Sequence, residues 1–166
     1  MTYIYKGSST IIEDIRAVVQ GQPDTGLAYF YFDINDKTKQ TPEQLLSFLV
    51  LALTASSKKY SPLSSLYEKN QKIYKPTESE LFDVLKVLLE GFLQVYIVID
   101  ALDECYDYDQ LSGTISTILG LQMSNCHLLV TSRREERILV TIQEWTPVEI
   151  QLSADLTSYH ISILHL

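Results

Sequence analysis

The segment Val95-Tyr96-Ile97-Val98-Ile99-Asp100-Ala101-Leu102-Asp103-Glu104 constrains the fold more than any other, because an unbroken apolar run ends on one carboxylate and two more follow shortly after. Residues 95–99 are mostly β-branched or aromatic. A strand covered on both faces has that composition, and parallel sheets are built of such strands. Asp100 then falls at the carboxyl end of its strand, where open α/β sheets bind ligands. Mg²⁺ keeps several waters and takes one or two protein carboxylates, so a single aspartate at a strand tip suffices if phosphate oxygens supply the rest. Asp103 and Glu104, just beyond, are placed to orient and polarise a water aimed at a terminal phosphate. The plainer alternative is that Asp100 and Asp103 only cap a turn or the following helix.

A second apolar strand, Cys126-His127-Leu128-Leu129-Val130-Thr131-Ser132-Arg133-Arg134, ends in hydroxyls and arginines. In a parallel sheet it delivers Thr131 and Arg133 to the edge that carries Asp100. A guanidinium there contacts phosphate oxygens in a fixed fork and reports whether the terminal phosphate is present. The alternative is a solvated basic loop in which Arg133, Arg134 and Arg137 pair with Glu135 and Glu136.

At 166 residues the chain is long enough for one compact core and short for two. Hydrophobic residues make up 46% and charged residues 20%, ordinary values for a globular domain. The formal net charge of -8, with no Lys/Arg block, repels phosphate backbones and argues against nucleic acid as a partner. The longest apolar stretch, Leu45 to Leu53, is interrupted by Ser47. It falls far short of the roughly 20 residues that cross a bilayer. No basic region followed by an apolar segment opens the chain, so no secretory signal is expected. Two cysteines, Cys105 and Cys126, make neither a CxxC motif nor a disulfide framework. Cys126-His127 reads as a buried thiol beside a strand histidine rather than half a metal site. A reducing, cytoplasmic setting is expected.

Along the chain, Thr10-Ile11-Ile12-Glu13 has the form of a capping box opening a helix with Ile11, Ile12, Ile15, Val18 and Val19 on one stripe. Gly21-Gln22-Pro23 stops it. Leu27 to Asp33 (LAYFYFD) predicts a strand ending on a polar residue. Thr41-Pro42-Glu43-Gln44 repeats the capping pattern, and the helix to about Ala55 is apolar nearly all round, which predicts burial. Residues 56–76 are polar and carry Pro62 and Pro76; they read as a surface excursion with one short helix near Leu63 to Lys69. Thr77-Glu78-Ser79-Glu80 caps a helix whose core face is Leu81, Leu85, Leu88, Leu89 and Phe92. Residues 109–121 read as a helix, Val148 to Leu152 as a last strand, and Ala154 to Leu166 as a final helix. Alternation of helix and strand predicts an α/β fold, a three-layer α/β/α sandwich with a mainly parallel sheet. Residues 1–166 read as a single, partial domain that begins almost directly on a helix.

Taken in order and spacing, YFYFD with Asn35-Asp36-Lys37, then VYIVIDALDEC, then LLVTSRRE, resemble the NACHT-type signalling NTPases of the STAND class. The likeness is strongest to the fungal group with a nephrocystin-like N-terminal NTPase domain. Ala101 directly after the aspartate, and the acidic pair Asp103-Glu104 beyond it, are the marks of a NACHT Walker B segment. The resemblance covers about Ser8 to the end. It implies a P-loop NTPase-like fold and ATP with Mg²⁺ as cofactors. It further implies that Asp100 is the metal ligand, that Asp103 or Glu104 assists the hydrolytic water, and that Arg133 is the phosphate sensor, with Thr131 beside it. It also implies a larger, oligomerising switch whose partners are other protein domains and further copies of itself.

The departure is at the N-terminus. A P-loop needs Gly-x-x-x-x-Gly-Lys-Ser/Thr, because glycine amides wrap the phosphates and the lysine reaches the outer oxygens. Lys6-Gly7-Ser8 holds the right residues in the wrong order, so the chain reads as N-terminally truncated relative to the family pattern. Without that loop most phosphate contacts are lost, and little or no ATP hydrolysis is expected. The leading expectation is a fragment of a nucleotide-dependent signalling switch. The alternative is a nucleotide-free interaction module on a degenerate NTPase fold. A third reading, a metal-dependent phosphatase or nuclease built on Asp100, Asp103 and Glu104, lacks further strand-end acids other than Asp33.

Overall fold

The computed structural model describes residues 4–57, 75–133, 135–138, 140, 148–154 and 157–165. Among the described residues, the helices α1 (Ile4–Val19), α2 (Pro42–Ser56), α3 (Glu78–Glu90) and α4 (Tyr108–Gly120) are laid against five strands. These are β1 (Thr25–Tyr31), β2 (Gln94–Asp100), β3 (Cys126–Arg133), β4 (Val148–Ala154) and β5 (Thr157–His165). The sheet order is β1-β2-β3-β5-β4. The first three strands are parallel, as their long helical crossovers require. β5 pairs antiparallel with β3 and with β4.

Alternation in β1 and β3 separates two faces. One, carrying Ala28, Phe30, Ile97, Ile99, Leu128 and Val130, is buried and forms one core with the apolar sides of α2, α3 and α4. Close approach of α2 is built into the sequence at Gly26, where an added Cβ would stand 3.2 Å from both Leu53 Cδ2 and Phe92 Cε1. The other face, with Leu27, Tyr29, Tyr31 and Tyr96, is half-buried. There α1 packs against β1 and β2, and the Arg16 guanidinium lies 4.9 Å from the centre of the Tyr29 ring. Helices on both faces of a parallel three-strand sheet make the expected α/β arrangement.

Several local expectations hold. Thr41 caps α2 and Thr77 caps α3, each hydroxyl accepting from the third helical amide while Gln44 or Glu80 returns the bond. β1 begins and ends two residues earlier than LAYFYFD suggests, leaving Asp33 just beyond it.

Others are corrected. Thr10 does not open α1, which starts at Ile4. Residues 4–9 contain no proline, and Gly7 costs a helix only about 1 kcal/mol, so the helix runs through the apparent capping box. Although α2 is apolar all round, it is buried on one side only; Phe48 and Leu51 are 40% and 58% exposed. The final segment is not a helix. Ala154 ends β4 and Thr157–His165 is a strand, because Thr157, Tyr159, Ile161 and Ile163 recur at period two and the edge of β3 offers unpaired backbone. The short helix expected at Leu63 to Lys69 lies outside the described residues.

Candidate functional site

The site is assembled at the carboxyl ends of β2 and β3. Their parallel register pairs Ile99 with Val130, so Asp100 and Thr131 emerge side by side. The Thr131 hydroxyl donates to Asp100 Oδ1 and accepts from the Ala101 amide at 3.2 Å. Asp100 itself is half-buried. Its carboxylate is thus oriented by a hydroxyl from the next strand, with no opposite charge bonded to it among the described residues.

Beyond Asp100 the chain turns sharply. Ala101 adopts a left-handed conformation at φ 58° and ψ 51°, and Leu102 is fully buried. A single 3₁₀ turn over Leu102–Glu104 follows, closed by the Glu104 amide on Ala101 O at 2.9 Å. With Leu102 seated in the core, Asp103 is thrown back over β3. Its Oδ1 accepts from the Arg133 amide at 2.8 Å, and the Ser132 hydroxyl, 3.2 Å away, shares its single proton between Oδ1 and Arg133 O, the latter at 2.8 Å. Its Oδ2 takes Arg133 Nε. The Asp103 side chain is 2% exposed and that of Arg133 is 53% exposed. Charge-assisted bonds of this kind, shielded on one side from water, are the strong ones.

Glu104 points the other way. Its Oε2 accepts from the Ile34 amide at 3.1 Å, its Oε1 lies 3.9 Å from Arg133 Nη2, and its side chain is 28% exposed. It therefore ties the loop after β1 to the tip of β2. Gln40 O accepts the Tyr106 amide at 2.9 Å and the Cys105 thiol at 3.5 Å, so the same two loops are joined twice more. Within the β1–α2 loop, Asp33 and Asp36 close Asx turns on Asn35 and Thr38. The Asp36 carboxyl is held below its ordinary range first by the Thr38 hydroxyl. Lys39 donates to the Tyr31 hydroxyl, which is the first cause of its raised pKa.

Asp100, Asp103, Glu104, Thr131 and Arg133 are thus brought together on one rim. Asp33, the other strand-end acid, is not among them; its carboxylate serves its own loop. Among the described residues no three His, Cys, Asp or Glu side chains converge in a metal-holding group. The parts missed from sequence are the Ser132 hydroxyl and the Ile34 amide. The first had a signal, a serine between two candidate residues on the same strand; the second, a backbone group 70 residues from its partner, had none.

The residues fit half of a magnesium–nucleotide site. Asp100, its carboxylate oriented by Thr131, presents hard oxygen donors at a strand tip, the kind Mg²⁺ takes where phosphate and water complete its shell. Lys6-Gly7-Ser8 does not form the glycine-rich loop that wraps a phosphate, since these residues are helical and lie inside α1. Both thiols are free and buried. Among the described residues no helix is long and apolar enough to cross a membrane.

A family model described as Nephrocystin 3, N-terminal matches residues 7–133, a span that contains Asp100, Asp103, Glu104, Thr131 and Arg133. No curated protein matches the chain.

Proposed function

The chain belongs to the Nephrocystin 3, N-terminal family, and from that premise we propose that it is the nucleotide-responsive part of a signalling switch of the NACHT/STAND kind. The observation that carries this reading is the convergence of Asp100 and Arg133 at the tips of adjacent parallel strands, with two further carboxylates between them. Asp100 would hold Mg²⁺, which when bound neutralises phosphate charge. Thr131 keeps the Asp100 carboxylate turned to the rim. Arg133 meets the terminal phosphate. Glu104, the more exposed of the two acids, orients water. Phosphoryl transfer depends on positioning and charge stabilisation, and with no cradle at residues 6–8 the turnover of this chain is negligible. Its role is binding, with other protein domains and further copies of itself as partners. The net charge of -8 disfavours nucleic acid, and two buried thiols suit the cytoplasm.

Titration of the chain with Mg·ATP and with Mg·ADP in a calorimeter tests this. Micromolar binding that Asp100→Asn abolishes is the expected outcome. No heat at millimolar nucleotide would sink it in favour of a second reading, a nucleotide-free interaction module. One observation favours that reading: Asp103 already takes the Arg133 Nε, as it would on a rim that had given up its ligand.

A further inference from the structure

Building on the nucleotide reading, we infer that Asp103 is a positioning residue, which holds the Arg133 guanidinium at the strand tips and takes no part in activating water. A carboxylate that handles a proton from water must reach water. The Asp103 side chain is 2% exposed, and both its oxygens are engaged: Oδ1 by the Arg133 amide and, shared with Arg133 O, by the Ser132 hydroxyl, Oδ2 by Arg133 Nε.

The arrangement exceeds what a surface ion pair needs. One carboxylate grips both the root of Arg133, at its backbone amide, and the near edge of its head, at Nε. An arginine at the end of a strand, 53% exposed, would otherwise lose much rotamer freedom on meeting an anion. Fixing the guanidinium plane beforehand removes that loss, the general benefit of preorganisation. The local backbone serves the same end, since the left-handed Ala101 and the buried Leu102 put Asp103 back over β3. Glu104, on the same turn, is left as the carboxylate that water reaches.

Two readouts on the full 166-residue chain test the inference. The first is solvent exchange of arginine Nε–H protons by NMR, with Arg133→Lys identifying the signal. In the wild type the Arg133 Nε–H should exchange slowly, and Asp103→Asn, which keeps the side-chain shape and an acceptor for the amide, should abolish that protection. The second is Mg·ATP affinity, which should fall about tenfold or more in Asp103→Asn, as for other supporting residues. If Asp103→Asn lowers only the melting temperature while Nε–H protection and affinity persist, the role is merely structural and the inference is wrong. Fast exchange of the assigned Arg133 signal in the wild type refutes it without recourse to Asp103→Asn. Failure of the wild type to bind Mg·ATP overturns the nucleotide reading alone, because the Nε–H comparison still decides whether Asp103 fixes Arg133.

Discussion

Ala101 shows how much of the rim depends on one backbone conformation. A left-handed residue other than glycine costs roughly 1–2 kcal/mol, yet this one, at φ 58°, is what turns the chain so that Leu102 enters the core and Asp103 lands over β3. A small side chain after Asp100 therefore has a physical reason: the left-handed region penalises every Cβ and penalises β-branching most. Ala101→Gly should leave stability within about 1 kcal/mol of wild type, since relief of strain is offset by the freer unfolded chain. Ala101→Val should lose about 2 kcal/mol, within the range for stored backbone strain, and should loosen the Asp103–Arg133 pair. Urea unfolding at neutral pH distinguishes the two; equal stabilities would show that the turn is not held as described.

At the scale of elements, legibility depends on whether the deciding contact is local. Thr41 and Thr77 could be read as caps because everything a capping box needs lies within four residues. The same pattern at Thr10-Ile11-Ile12-Glu13 misled, because an N-terminus also requires the preceding residues to be non-helical, and Ile4 to Ser9 are helical. β5 was illegible for a nonlocal reason: a short apolar stretch near Ile161 to Leu164 suits helix or strand, and pairing with β3 from Arg133↔Tyr159 to His127↔His165 decided it. The site divides along the same line. Strand periodicity alone puts Asp100 and Arg133 on one edge, whereas burial of Asp103 and the hold of Glu104 on the Ile34 amide arise from a turn and a loop that meet only in three dimensions. Since α2 carries much of the core, loss of its cap is a sensitive check on the helix boundary. Thr41→Ala should cost about 1 kcal/mol, a fall of roughly 2–4 °C in melting temperature for a chain of this size. No change would place the start of α2 elsewhere.

Across the whole molecule, the two cysteines mark opposite ends of the sheet and report on its integrity at high pH. Cys126 opens β3 at the amino edge, whereas Cys105 follows the turn beyond the carboxyl end of β2. Burial pushes the Cys126 thiol up to about 12 and the Cys105 thiol up to about 11, from an ordinary value of 9.0. For an acid whose folded pKa is raised, the unfolded chain gives up its proton first as pH climbs. The stabilisation is therefore complete below pH 9.0 and is lost as pH rises towards 11 for Cys105 and 12 for Cys126. Each thiol can remove at most about 1.4 kcal/mol per pH unit in that window, a few degrees of melting temperature. The slopes of the variants, not the wild-type curve alone, carry the test. Melting temperatures of wild type, Cys105→Ala and Cys126→Ala should be followed from about pH 8, roughly one unit below the ordinary thiol value, to about pH 11, inside the window in which the unfolded thiols have lost their protons. Each variant starts lower, having lost buried volume, and then falls less steeply than wild type. Curves that run parallel throughout would mean that neither thiol is shielded in the folded chain, and that the two ends of the sheet open to solvent before the core unfolds.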